Sequence, residues 1–152
     1  MTYSFEKDAG SELIMVTVKL DEKDEFKMVL DTAASLTTFD SNALYMANYS
    51  IGNVIEKGIV ETANGIVAVD VIEIDEISAF GHSVRGMKVQ IYDFLEHGIL
   101  SDYEGLLGLD FFKNTKFCID MNNQTIEVFG RKSNPIRRKN NPSGQRNRND
   151  KT

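Results

Sequence analysis

The sequence predicts an all-β fold: a small closed β-barrel with a projecting hairpin and one or two short helices. Three observations carry this. Apolar and polar residues alternate at strand period through most of the chain up to Phe129. The alternating runs are short and are separated by turn sequences at regular spacing. Only Ser41–Ala47 and the stretch from Asp110 to Lys113 read as helix.

The first hairpin joins Leu13–Leu20 to Phe26–Leu30 through the charged turn Asp21–Glu25, and it delivers Asp31 at its end. Leu36–Phe39 reads as a further strand, followed by the short helix with Asp40 or Ser41 as its cap. Gly58–Ala63 and Ile66–Ile74 flank Asn64-Gly65, a pair suited to a tight turn with positive φ, which predicts a long hairpin. A turn at Gly81–Ser83 leads into Val84–Tyr92. After a polar loop, Gly105–Gly108 precedes one helical turn, and strands around 116–120 and 125–129 close the domain through Met121–Gln124.

One domain is expected over 1–130, with a basic, disordered tail over 131–152. The net charge of −6 is unevenly spread. Eight of the 17 Lys and Arg lie in 131–152 beside a single acid, Asp150, which leaves nine bases and 22 acids in the body. A body so acidic is not a nucleic-acid binder. A basic tail can engage nucleic acid, an acidic partner or an anionic surface, yet such a run is more often a plain soluble extension. It is also a candidate processing site for the chain itself. A single cysteine, Cys118, leaves no intramolecular disulfide and fits a reducing, cytoplasmic setting. Residues 1–8 contain no apolar leader core and no apolar run approaches membrane-spanning length, so neither secretion nor insertion is expected.

The chemistry centres on Leu30-Asp31-Thr32-Ala33-Ala34-Ser35. This string resembles the Asp-Thr-Gly-Ala-Ser signature of retropepsin-like aspartic proteases. Thr62-Ala63-Asn64-Gly65 matches the flap hairpin of the bacterial members of that family. Gly105-Leu106-Leu107-Gly108 matches their apolar-apolar-Gly element, and Asp110-Phe111-Phe112 the start of the helix that follows. Each string is common alone; four in this order make the resemblance specific, and it runs through the body to Phe129.

The resemblance implies a retropepsin-type barrel, aspartic endopeptidase activity without cofactor or metal, and Asp31 as the catalytic carboxylate. Such chemistry needs two carboxylates close enough to share one proton, one as base toward water and the other as acid toward the peptide carbonyl. The chain holds one such string and is too short for a second lobe, so a two-fold homodimer must supply the mate. By resemblance, Thr32 links the two loops, Ala33 and Ala34 aim N–H groups at the carboxylate, and Ser35 adds a side-chain hydrogen bond. Gly105, Leu106, Leu107 and Gly108 support the loop. Thr62, Ala63, Asn64, Gly65, Ile66 and Val67 form the flap over an extended polypeptide substrate, with Ile66, Val67 and Leu107 lining side-chain pockets.

Ala33 departs from the pattern, since the family has Gly there; its Cβ restricts φ and crowds a substrate. This motivates an alternative reading, a catalytically silent peptide-binding module with recruitment by the basic tail. Blander readings hold elsewhere. Asp110 is expected as a helix cap, Asp102 and Glu104 as solvent-facing, and Glu73, Asp75 and Glu76 as a solvated strand face. His82 and His97 are expected at the surface without a metal, and Cys118 as packing.

Overall fold

The computed structural model describes residues 1–130 apart from Asn53 and Asn64, so the expected tail lies outside the described residues. In chain order the elements are β1 (Thr2–Ser4), β2 (Glu6–Lys7), β3 (Ile14–Leu20), β4 (Asp24–Leu30), β5 (Thr38–Asp40), α1 (Ser41–Met46), β6 (Glu56–Thr62), β7 (Gly65–Ala79) and β8 (His82–Tyr92). They are followed by β9 (Gly105–Leu107), a 3₁₀ turn (Leu109–Phe112), β10 (Lys116–Asp120) and β11 (Thr125–Phe129).

Six strands close a barrel in the order β3-β4-β9-β5-β8-β7, with β7 pairing back onto β3 through Lys19–Ser78 and Leu20–Ile77. Closure satisfies backbone groups that an open sheet would leave at its edges. Strand β2 extends from β3 and β6 from β7, while β1, β11 and β10 form a separate three-stranded sheet. The alternation seen in the sequence explains the core. In β3, Val16, Val18 and Leu20 point inward; in β7, Ile72, Ile74 and Ile77; in β8, Met87, Val89 and Ile91. Phe26, Phe39 and Phe111 are fully buried among them, and Ile126 ties the three-stranded sheet to the same core. A second cluster, Val67, Val69, Tyr92 and Phe94, lies at the base of the β6–β7 hairpin with Val60, Ile99 and Tyr103 against it.

Several boundaries move. The first hairpin turns through Asp21–Lys23, because Leu20 pairs directly with Asp24 and positive φ at Asp21 and Glu22 tightens the reversal. The β7–β8 turn is Phe80-Gly81, both at positive φ, so His82 and Ser83 belong to β8. In the long hairpin Thr62 pairs with Gly65, so the turn lies between them. Gly65, at φ 117°, opens the returning strand instead of completing the turn. The Thr62 hydroxyl donates to the Gly65 carbonyl across this reversal.

Four side chains also differ from expectation. The ring of His82 is partly buried edge-on against Phe111, with Nε2 enclosed and unbonded, because the hairpin wraps onto the core. Cys118 is exposed, since Phe117 and Ile119 turn their side chains toward the core on the opposite face of β10. Glu104 is tied to the sheet: its carboxylate accepts from Lys27 N–H at 2.8 Å and its own N–H donates to the Lys27 carbonyl at 2.7 Å. Glu76 is largely covered in an ion pair with Arg85, 3.0 Å away.

Strand β9 inserts between β4, to which it is parallel, and β5, to which it is antiparallel. The approach is so close that a Cβ on Gly105 would strike the Thr38 carbonyl and the Met28 methyl group. Gly105→Ala is therefore expected to destabilise the fold by about 1–3 kcal/mol, measured as a lowered Tm, whereas Gly130→Ala, where the added Cβ meets open space, should leave Tm unchanged.

Candidate active site

Strand β4 runs out of the core at Leu30, and the parallel ladder with β9 continues one residue further, with Asp31 N–H donating to the Leu107 carbonyl at 3.0 Å. The chain then turns sharply. Ala34 N–H donates to the Asp31 carbonyl at 3.1 Å, and Ala33 N–H donates to Asp31 Oδ1 at 2.9 Å. Asp31 is thus half-buried, with a carboxylate oriented by its own loop. Ala33 lies outside the left-handed region, a conformation open to any L-residue. Alanine in place of glycine therefore costs nothing in backbone strain. The expected Ala34 contact to the carboxylate is corrected, because its N–H is used to close the turn. Ser35 is exposed on the cleft wall, and its hydroxyl makes no hydrogen bond to Asp31 among the described residues.

The far end of the loop is held by two residues whose role the sequence did not announce. Thr37 is completely buried; its hydroxyl donates to Asp110 Oδ1 at 2.7 Å and accepts from Gly108 N–H at 3.1 Å. Asp110 Oδ2 accepts from Thr37 N–H at 2.8 Å, and Oδ1 from Phe111 N–H at 3.0 Å. Leu109 N–H donates to the Ala34 carbonyl at 2.8 Å. Asp110 is therefore not the N-cap of its short helix; that position falls to Gly108, which has no side chain to cap with. Instead Asp110 binds the 31–37 loop to the turn after β9. Gly108 is required there, since an added Cβ would press on Ala34 and Leu36 backbone atoms at 2.8 Å.

Asp31, Ala33, Ala34, Ser35 and Leu106 open onto a cleft of about 550 Å³, bounded across by Ile59–Thr62 of the hairpin. Leu36, Thr38, Gln90, Tyr92 and Ile99 complete the walls, and of these the sequence flagged none. Leu106 faces the cleft while its neighbour Leu107 is fully buried in the core, so the expected pocket role of Leu107 is corrected by strand alternation. Val67 is buried in the second cluster, whereas Ile66 is 72% exposed on the opposite hairpin face. Ala63 and Gly65 stand exposed at the tip, and Asn64 is outside the described residues. Thr32 is exposed beside the loop, away from the cleft walls.

Ile99 reaches the cleft from the loop after β8. That loop is pinned by Asp40, which accepts from Phe94 N–H at 3.1 Å, and by Asp93, which accepts from Glu96 N–H at 3.0 Å and the Asn42 amide at 2.7 Å. The Glu96 N–H, then the Asn42 amide, hold the Asp93 carboxyl below the usual carboxylate range. Among the described residues no group of three His, Cys, Asp or Glu could hold a metal ion, and no helix is long and apolar enough to cross a membrane.

Two outcomes are expected. Thr37→Val leaves Gly108 N–H and Asp110 without their hydroxyl partner and should cost about 1–3 kcal/mol in chemical denaturation, with Thr37→Ser recovering most of it. The stabilisation from Asp93 is present above the ordinary carboxylate range and is lost as pH falls through the depressed folded-state value. Hydrogen-exchange protection of the Glu96 amide should therefore weaken at acid pH, and Asp93→Asn should remove that pH dependence.

Comparison with known proteins agrees with this architecture. No curated protein matches the chain significantly. Among solved structures, the crystal structure of a retropepsin-like aspartic protease from Rickettsia conorii is similar with a TM-score of 0.57, covering 85% of this chain and 90% of that one at 14% identity. The barrel is thus of the retropepsin-like fold. The model of the aspartyl protease family matches residues 16–111, from β3 through the Asp31 loop to the turn that props it, and on that match the chain belongs to the aspartyl protease family.

Proposed function

We propose that the chain is an aspartic endopeptidase that hydrolyses peptide bonds in extended polypeptide segments and works as a two-fold homodimer. The observation that carries this reading is the Asp31 carboxylate, oriented by Ala33 N–H at 2.9 Å and opening onto a cleft spanned by a β-hairpin. One protomer brings one such loop, and the chemistry needs two. Support for a symmetric partner comes from the surroundings of the loop. Thr32 stays exposed, and Leu109, whose N–H is bonded to the loop at Ala34, presents an apolar side chain that is 43% exposed. An isologous interface over this face would bring Asp31 against Asp31 of the partner subunit on the axis.

In that dimer the two carboxylates share one proton and hold a water between them. The ionised one takes a proton from the water as its oxygen attacks the peptide carbonyl carbon, and the protonated one gives its proton to the carbonyl oxygen. The gem-diol then collapses: the C–N bond breaks, the nitrogen gains a proton, and the carboxylates return to sharing one. The hairpin covers the substrate and excludes water, and backbone pairing with an extended segment aligns the scissile bond. The lone exposed thiol, Cys118, fits a reducing, cytoplasmic setting for such an enzyme.

A second reading, a silent peptide-binding dimer, rests on the Ala33 side chain, which lies on the cleft wall where glycine would leave more room. Incubation with a diverse peptide library across pH separates the two. Proteolysis predicts cleavage that drops by roughly 10³-fold in Asp31→Asn, with the dimer retained in sedimentation. Identical products from both proteins would sink the catalytic reading. Peptide binding without cleavage at any pH would favour the silent module.

A further inference from the structure

The cleft mixes apolar and polar walls, and Thr38 and Gln90 form a polar pair within it. Strand alternation sends Phe39 of β5 and Val89 and Ile91 of β8 into the core. Thr38 and Gln90, which pair across these parallel strands, therefore turn to the opposite face and line the cleft. Thr38 is 5% exposed, and its hydroxyl donates to Gln90 Oε1 at 3.3 Å. That bond fixes the Gln90 side chain and uses one end of its amide. Among the described residues the other end makes no hydrogen bond, and Gln90 lines the cleft together with apolar Leu36, Ile99 and Leu106.

A polar group in such a setting is hydrated while the cleft is open. It loses that water once a substrate side chain fills the space and the hairpin covers it. An aliphatic side chain would strand it, at the cost of an unmade hydrogen bond, whereas a complementary one repairs the loss. A carboxylate is disfavoured, because Asp31 and Glu61 line the same cleft and would repel it. A primary carboxamide carries both a donor and an acceptor, so it complements the free end of Gln90 in either amide orientation. It also adds no charge.

We infer that Gln90, held by Thr38, is a specificity-determining residue that selects a substrate with an Asn or Gln side chain at the position seated on this pair. The inference rests on the peptide-cleft reading above, and it deepens that reading by naming a substrate class. Gln90 acts on binding at this position and takes no part in the proton transfers of Asp31.

The test compares matched peptides that differ only in Asn, Gln, Asp or Leu at each position around the cleaved bond. Cleavage is measured with the wild-type protein and binding with Asp31→Asn. The expected result is a preference of at least about tenfold for Asn or Gln over Leu at one position, with Asp disfavoured there. Gln90→Leu should reverse the preference toward Leu, and Thr38→Val should weaken it. Gln90→Met, close to glutamine in shape, serves if Gln90→Leu does not fold.

Cleavage that ignores the side chain at every position, or a carboxamide preference that persists in the Gln90 variants, overturns the inference and leaves proteolysis standing. Gln90-dependent binding of carboxamide peptides without cleavage does the reverse. Neither cleavage nor binding of any peptide overturns both.

Discussion

The buried hydroxyl of Thr37 is the constraint on which the site depends. It sits at 0% exposure between a carboxylate it donates to and a backbone N–H it accepts from, so both of its hydrogen-bonding capacities are used and water is excluded. A hydroxyl in such a place is stabilising only when fully satisfied. Satisfaction here requires that the loop after β4 and the turn after β9 stand in one relative position. The Asp110 carboxylate enforces the same position from the other side, accepting from Thr37 and Phe111 N–H groups. Asp31 is carried at the near end of the loop that this lock holds.

The lock is possible because of an unusual feature of the barrel. Strands β4 and β9 are parallel, and so are β5 and β8, while β9 is threaded between β4 and β5. Parallel neighbours require long connections, and most of the chain between Asp31 and Leu107 is spent on them. Gly105 and Gly108 permit the threading, since backbone approaches both where a Cβ would stand. The floor of the cleft is therefore built on the most constrained region of the molecule. Its cover, the β6–β7 hairpin, is the opposite: β6 is held on one edge only, and apolar packing anchors the base through Val67 and Val69 but leaves Ile66 and the tip exposed. A rigid floor under a lightly held cover suits a cleft that must admit and then enclose a chain.

Ala33 shows how a departure from a motif is weighed by geometry. Its N–H makes the bond to the Asp31 carboxylate, and its φ is one that alanine adopts freely, so the substitution of a Cβ for hydrogen leaves the loop intact. What remains is a methyl group on the cleft wall, a matter of shape for the substrate and not of strain for the protein. The polar pair Thr38 and Gln90 is likewise a matter of the cleft lining, built on strands whose core faces are apolar.

Much of the barrel was legible in the sequence because a strand's period of two is a local property. Leu13–Leu20, Phe26–Leu30 and Val84–Tyr92 alternate, and each lies on a strand that turns apolar side chains into the core, although Leu13 falls before β3 and is exposed. The Asp31 string and the order of the motifs were equally readable, since a loop motif is contiguous. By itself the sequence determined these strands, the hairpins between neighbours and the identity of the loop residues. It did not show Thr37 as a lock, because a threonine among apolar residues reads as strand until its partner, 73 residues away, is brought beside it. It mistook Asp110 for a cap for the same reason, and it placed Leu107 in a pocket because the face of a three-residue strand depends on its neighbours. Only the tertiary structure decided which of Leu106 and Leu107 meets the cleft and that Thr38 and Gln90 share a floor. Those outcomes are set by parallel pairing between distant strands, a contact that no local pattern encodes.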